Sequence, residues 1–140
     1  MAEIVVGIDG SESSKNALRW AARQAELTGA ELRAVEVWHV PSTFGIAPDY
    51  PDVDLSGETR KHLEGIVAEV MHDHPEVAVR AVVAEGHPAA ALVELARDAD
   101  LLVVGSHGRG AFTGMLLGSV GQHCVQHAHC PVLVLRPRGE

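Results

Sequence analysis

Basic residues are scarce in this chain. Eleven Lys and Arg stand against nineteen Asp and Glu over 140 residues, a formal net charge of −8 with a pI near 5.5. A general nucleic-acid binder needs a basic face to displace condensed counterions, so that class is excluded. An anionic ligand would have to be held by local backbone dipoles instead. Long apolar runs are also missing: none approaches the roughly 20 residues needed to cross a bilayer. The amino terminus lacks the basic-then-apolar order of a signal peptide. The expectation is a cytoplasmic protein with no membrane role. Cysteine is limited to Cys124 and Cys130, which predicts free, buried thiols and no disulfide framework. There is no internal repeat and no low-complexity tract. A chain of this length suits one domain, residues 1–140, able to bury roughly 68–70% of its unfolded surface without disulfides or metals.

What is present alternates. Glu3 to Asp9 is a short, β-branched, mostly apolar run, the pattern of a central strand covered on both faces. Asp9-Gly10-Ser11 then offers a turn and a helix N-cap. From Ser13 onward Ala17, Leu18, Ala21, Ala22 and Ala25 share one helical face, up to a stop near Gly29. Glu31 to Val40 forms a second strand. Pro41 to Gly57 carries three prolines with Ser, Gly and Asp between them, which predicts a long mobile surface loop: a lid, a contact surface or a neutral insertion. Leu63, Ile66, Val67, Val70 and Met71 then repeat at helical spacing until His74-Pro75 ends the helix. Val77 to Ala84 makes a third strand and Gly86-His87 a turn. Pro88 opens a helix that packs Leu92, Leu95 and Ala96. Leu101 to Val104 is a fourth strand, a helix runs from Ser119 as N-cap to about Ala128, and Val132 to Leu135 is a fifth strand. This alternation predicts an α/β domain with a parallel sheet and right-handed crossovers. Ligands of such sheets lie outside the carboxyl ends of the strands, here Asp9, Val40, Ala84 and Gly105.

The stretch from Gly105 to Ser119 carries glycines at 105, 108, 110, 114 and 118. Glycine lets backbone N–H groups turn inward at positive φ and approach a ligand closely, so the loop has the chemistry of an anion cradle. Gly118-Ser119 opens a helix, whose first N–H groups face the loop; the Ser119 hydroxyl either caps them or bonds a ligand oxygen. Gly105 and Gly108 can add N–H donors, and Arg109 adds a permanent positive charge. The set suits a polyphosphate, with the apolar ends of the first two strands flanking a flat ring. Asp9 can accept from a ribose or an adenine amine, ligate Mg²⁺ indirectly, or simply cap its own turn. Two standard phosphate loops fail: G-x-x-x-x-G-K-[ST] for want of a lysine, and G-x-G-x-x-G because Thr113 takes the third glycine position. Phosphoryl transfer wants a metal-binding carboxylate, and beyond Asp9 the loop has none. A site that holds a nucleotide is favoured over one that turns it over quickly.

Other chemistries are weaker. His123, Cys124, His127, His129 and Cys130 crowd together, and His123 with His127 at i and i+4 could chelate zinc. Cys124 projects about 100° from His123 on the helix, so it is expected to pack inward while the histidines face water, and no metal site is expected. His107 could touch a phosphate or stay neutral in solvent. A phosphoacceptor receiver would need Asp at the end of the third strand and Lys after the fifth, where Ala84-Glu85 and Arg136-Pro137 stand. A thioredoxin-like fold would need C-x-x-C.

The spacing Gly105-x2-Gly108-x9-Gly118-Ser119 resembles the G-2x-G-9x-G-[ST] motif of the nucleotide-binding universal stress proteins with a UspA-like domain. The opening Ile4 to Ser11, the strand end Glu36-Val-Trp-His39-Val40, Val103 to Gly110 and the closing Cys130 to Leu135 resemble that family too, so the likeness runs end to end. It implies an open parallel five-stranded sheet of order 3-2-1-4-5 with helices on both faces, of the adenine-nucleotide alpha-hydrolase-like type. It also implies that Gly7, Ile8 and Asp9 border adenine and ribose, and that Val40 offers backbone groups to the adenine. Val104, Gly105, Gly108 and Arg109 would line the ribose-phosphate side, and Gly118, Ser119 and Val120 would hold phosphates. The implied function is an ATP-binding stress-response module, a homodimer through Val132 to Leu135, with little or slow hydrolysis. ADP, AMP and cyclic AMP are alternative ligands, and Mg²⁺ is a candidate companion ion. A slow ATPase and an interaction protein that has lost nucleotide binding are the competing readings. The chain departs from the family in the loop Pro41 to Gly57, which aligns with nothing, and in Gly7, which gives the adenine side little bulk.

Overall fold

Nine elements alternate along the chain in the computed structural model, which describes residues 2–38, 55–107 and 117–136. They are β1 (Glu3–Ile8), α1 (Glu12–Thr28), β2 (Glu31–Trp38), α2 (Leu55–Met71), β3 (Val79–Glu85), α3 (Pro88–Leu95), β4 (Leu101–Gly105), α4 (Ser119–His127) and β5 (Val132–Leu135). All strand pairings are parallel and the sheet order is β3-β2-β1-β4-β5. The predicted α/β class and the 3-2-1-4-5 order are both observed.

Successive residues of a strand point to opposite faces, so a sheet covered on both sides buries both sets. Val6, Leu18, Leu32, Leu63 and Val103 pack together on the face covered by α1 and α2. Val5, Val35, Leu92, Leu102 and Cys124 form a second core on the face covered by α3 and α4. The switch from Val5 to Val6, and from Leu102 to Val103, is the period of 2 made visible. β5 lies at one edge of the sheet and its four residues are half-buried.

Local chemistry sets most helix ends. Ser11 caps α1, its Oγ accepting from Ser14 N at 3.1 Å, a contact that contributes about 1 kcal/mol. Gly29 closes the same helix at φ 78, donating its N–H to Ala25 O at 2.8 Å. Pro88 occupies the first turn of α3, where its missing N–H has no helical partner to lose.

Several boundaries differ from expectation. β1 ends at Ile8, because Asp9 is drawn into the turn that starts α1. α2 already begins at Leu55, so Ser56 and Gly57 are helical although their composition suggested loop; packing of Leu63, Ile66, Val70 and Met71 outweighs weak local propensity. The same helix stops at Met71, before His74-Pro75, in a turn where His74 N donates to Met71 O at 2.9 Å. Val77 belongs to that turn through Val77 N donating to His74 O, which delays β3 to Val79. The rest of the Pro41 to Gly57 loop, residues 41–54, lies outside the described residues, as do His39 and Val40.

Candidate functional site

The chain moves outward from β1 to β2 and β3, then crosses back to place β4 on the other side of β1. The carboxyl ends of β1 and β4 are therefore the point where strand order reverses, the place where sheets of this type open a crevice because the connections leave in opposite directions. α1 and α4 both start beside it.

The β1 side is built by Asp9 and three serines. Asp9 Oδ1 accepts from Ser11 N at 2.9 Å and from Ser11 Oγ at 2.6 Å. Ser14 Oγ accepts from Asp9 N at 3.3 Å and donates to Ser11 O at 2.9 Å. The carboxylate thus caps its own turn, whichever further role it has. Gly10 adopts φ 87, the one position in this turn where a left-handed backbone calls for glycine.

The β4 side is held by backbone. Ser106 is fully buried; its N donates to Leu135 O at 2.9 Å and its O accepts from Gly118 N at 2.6 Å. One residue thereby ties the ends of β4 and β5 to the start of α4. Its hydroxyl lies 3.1 Å from His107 Nδ1. Gly118, not Ser119, is the N-cap of α4, in extended conformation at φ −74 and ψ 173. The shift by one residue follows from the Ser106 bond, which fixes Gly118 outside the helix. Gly118 has no side chain to cap α4, and the exposed Ser119 is its first helical residue.

Two glycines owe their identity to space. A Cβ on Gly105 would lie 2.2 Å from Ser13 Oγ and 2.8 Å from the Ser13 carbonyl carbon, so the first turn of α1 is pressed onto the end of β4. A Cβ on Gly7 would meet Leu92 Cδ1 at 2.8 Å. Among the described residues, positive φ occurs at Gly10, Gly29 and Gly86, so the expectation of inward-turned backbone does not hold at Gly105 or Gly118. Ile8 and Val104 bury their side chains in opposite cores, leaving backbone as what they can offer a ligand. Val120 is half-buried against the second core. Of the candidate residues, the structure brings Gly7, Ile8, Asp9, Val104, Gly105, Gly118, Ser119 and Val120 to the carboxyl ends of β1 and β4 or the start of α4. Val40, Gly108 and Arg109 lie outside the described residues. Ser13, Ser14 and Ser106 were not singled out from sequence. In the polar run Ser11 to Ser14 nothing local says which hydroxyl faces β4.

A groove among the described residues lies elsewhere. A cavity of about 580 Å³ lies at the amino ends of β2 and β3, bordered by Ala25, Gly29, Ala30, Glu31, Pro75 and Val77. It contains none of the described motif residues, which stand at the opposite ends of the strands.

Near the carboxyl terminus, Cys124 is fully buried while His127 is exposed. The His123 and His127 rings stand 4.5 Å apart, centroid to centroid. No three His, Cys, Asp or Glu side chains converge on a metal site among the described residues. Both cysteines are free. Burial, and then Cys130, push the Cys124 thiol from an ordinary value near 9 up to about 11. Cys130 is raised as well, by burial and then by Asp100. The folded state thus keeps the Cys124 proton longer than the unfolded state does. Its contribution to stability is complete below pH 9 and is lost as the pH rises to about 11. Urea melts between these limits are expected to show a steeper loss of stability in the native chain than in Cys124→Ala. Equal slopes would contradict the burial account.

An open parallel sheet of order 3-2-1-4-5 with helices on both faces places the chain among the α/β proteins. The sequence model of the universal stress protein family matches residues 1–136, and the chain belongs to that family. A universal stress protein of Mycolicibacterium smegmatis is 42% identical over 136 residues, covering 96% of this chain and 46% of that protein. One from Mycobacterium tuberculosis is 40% identical over 143 residues, covering 96% and 44%. The chain spans about half the length of the curated relatives it matches. Among solved structures, UspA of Lactobacillus plantarum superposes with a TM-score of 0.83 at 22% identity, covering 96% of this chain and 97% of that one. A universal stress protein in complex with cAMP gives 0.73 at 28% identity, covering 96% of both chains. Among the described residues, no helix is long and apolar enough to cross a membrane.

Proposed function

We propose that residues 1–140 form a universal stress protein domain that binds an adenine nucleotide in the crevice between the ends of β1 and β4. It acts as a cytoplasmic, dimeric regulatory module with little or slow hydrolysis. The observation that carries this reading is the N-terminus of α4, which among the described residues has no side-chain cap and is set by the Ser106–Gly118 bond against the end of β4. Helix N-termini favour anions through unpaired N–H groups and the macrodipole. The binding of cAMP by a relative of the same fold supports an adenine ligand. In this reading Gly7, Ile8, Asp9 and Val40 border the base and ribose. Val104, Gly105, Gly108 and Arg109 line the ribose-phosphate, and Gly118, Ser119 and Val120 hold phosphates. ATP is the favoured ligand, with ADP, AMP and cyclic AMP as alternatives, and Mg²⁺ as the ion that would accompany a triphosphate. The edge position of β5 supports dimerisation through Val132 to Leu135, since an apolar edge otherwise leaves backbone groups open to pairing.

Calorimetric titration of the purified chain with ATP, ADP, AMP and cyclic AMP is expected to show one saturable site. Gly108→Val is expected to abolish it without moving Tm. Undiminished affinity in that variant would sink the phosphate-cradle assignment. The absence of both titratable binding and co-purified nucleotide in the native chain would favour an interaction protein. Multiple-turnover ADP release with Mg²⁺, absent from a Gly118→Val, Ser119→Ala control, would favour a slow ATPase.

A further inference from the structure

The first turn of α1 contains a hydroxyl that the fold leaves unpaired. Its neighbours are fully used: Ser11 Oγ donates to Asp9 Oδ1 and accepts from Ser14 N, while Ser14 Oγ donates to Ser11 O and accepts from Asp9 N. Ser13 Oγ is buried from solvent and, among the described residues, has no hydrogen-bond partner. A buried hydroxyl without a partner is destabilising, and native folds hold few of them. Alanine would satisfy the same packing at this helical position without that cost. A structural role therefore does not account for the oxygen.

Its location does. Ser13 Oγ is 2.2 Å from where a Gly105 Cβ would stand, so it rests against the backbone of Gly105 at the end of β4. This is the seam between α1 and β4, at the switch point of the sheet. A ligand oxygen seated in this seam would be met by this hydroxyl, which can donate to a phosphate or ribose oxygen.

We infer that Ser13 is a ligand-binding residue, its O–H donating to an oxygen of the ribose-phosphate of the bound nucleotide. The inference rests on the nucleotide-binding reading above. It also explains the unpaired state: the cost is carried in the free protein and relieved on binding, a trade of stability for function.

The test compares the native chain with Ser13→Ala. Tm is measured without ligand, and calorimetry uses ATP, cyclic AMP and adenosine. The variant is expected to bind ATP or cyclic AMP about ten-fold more weakly or worse, while its ligand-free Tm rises by about 3 °C. A loss confined to the two phosphate-bearing ligands supports the assignment and places the contact on phosphate. An equal loss with adenosine supports it and places the contact on ribose. Affinity unchanged in Ser13→Ala overturns it, whatever happens to Tm. A native chain that binds none of the three overturns the nucleotide reading itself, and this assignment with it; equal binding by both chains overturns the assignment of Ser13 alone.

Discussion

Gly105→Val is expected to lower the stability of the domain by about 3 kcal/mol, a fall in Tm of about 10 °C for a domain of this size. The new Cβ would meet Ser13 Oγ at 2.2 Å, the Ser13 carbonyl carbon at 2.8 Å and Ser13 Cβ at 2.9 Å. Two of these are not the far ends of flexible side chains, so relief requires moving the start of α1 away from β4. That movement would pull at Ser11, Ser14 and Asp9, whose mutual bonds shape the β1 side of the crevice. Nucleotide binding should be lost together with stability. Gly7→Ala is the informative comparison. Its Cβ would meet Leu92 Cδ1 at 2.8 Å, the tip of a side chain that can change rotamer, so a cost near 1 kcal/mol is expected. Urea melts at constant slope separate the two. A Gly105→Val chain as stable as the parent would show that α1 is not seated as described.

Leu102→Ala should be comparably damaging for a different reason. Leu102 has no exposed surface and lies in the core beneath α3 and α4, its strand held between β1 and β5. Truncating a buried leucine removes its transfer free energy and leaves a cavity, about 2–5 kcal/mol together. A fall in Tm of about 10 °C is expected. Leu102 is the second residue of β4, near the amino end of the strand and three residues before Gly105 at its carboxyl end. Below its transition, Leu102→Ala is therefore expected to keep the nucleotide affinity of the parent, where Gly105→Val does not. Loss of affinity in fully folded Leu102→Ala would mean that the core under α4 and the crevice are coupled, contrary to this separation.

The parts of the fold that were legible in advance are those whose cause is local. Leu63, Ile66, Val70 and Met71 announce the α2 face by spacing alone, and all are buried. Gly29 and Pro88 mark helix ends because backbone dihedrals at those positions are set by the residue itself. Where expectation missed, a distant group had intervened. Ser119 looks like an N-cap, but the carbonyl of Ser106 takes the Gly118 N–H and moves the cap one residue earlier. Ser56 and Gly57 look like loop, but the helix they join is paid for by packing further along. The thiol of Cys124 was correctly expected to face inward, since the helical turn from His123 is a local angle.

The candidate site divides in the same way. The sequence alone determined the class of fold and the family, because periodicity, turn residues and motif spacing are carried by neighbours along the chain. Tertiary structure alone decided that Gly105 is glycine for want of room beside Ser13, that Ser106 binds β4, β5 and α4 together, and that one serine of three in the first turn of α1 is left without a partner. Each of these depends on which surfaces the sheet brings into contact, between residues that are not neighbours along the chain. No local pattern encodes such a distance: Gly105, which the sequence offers only as the first glycine of an anion cradle, stands in a tightly packed seam.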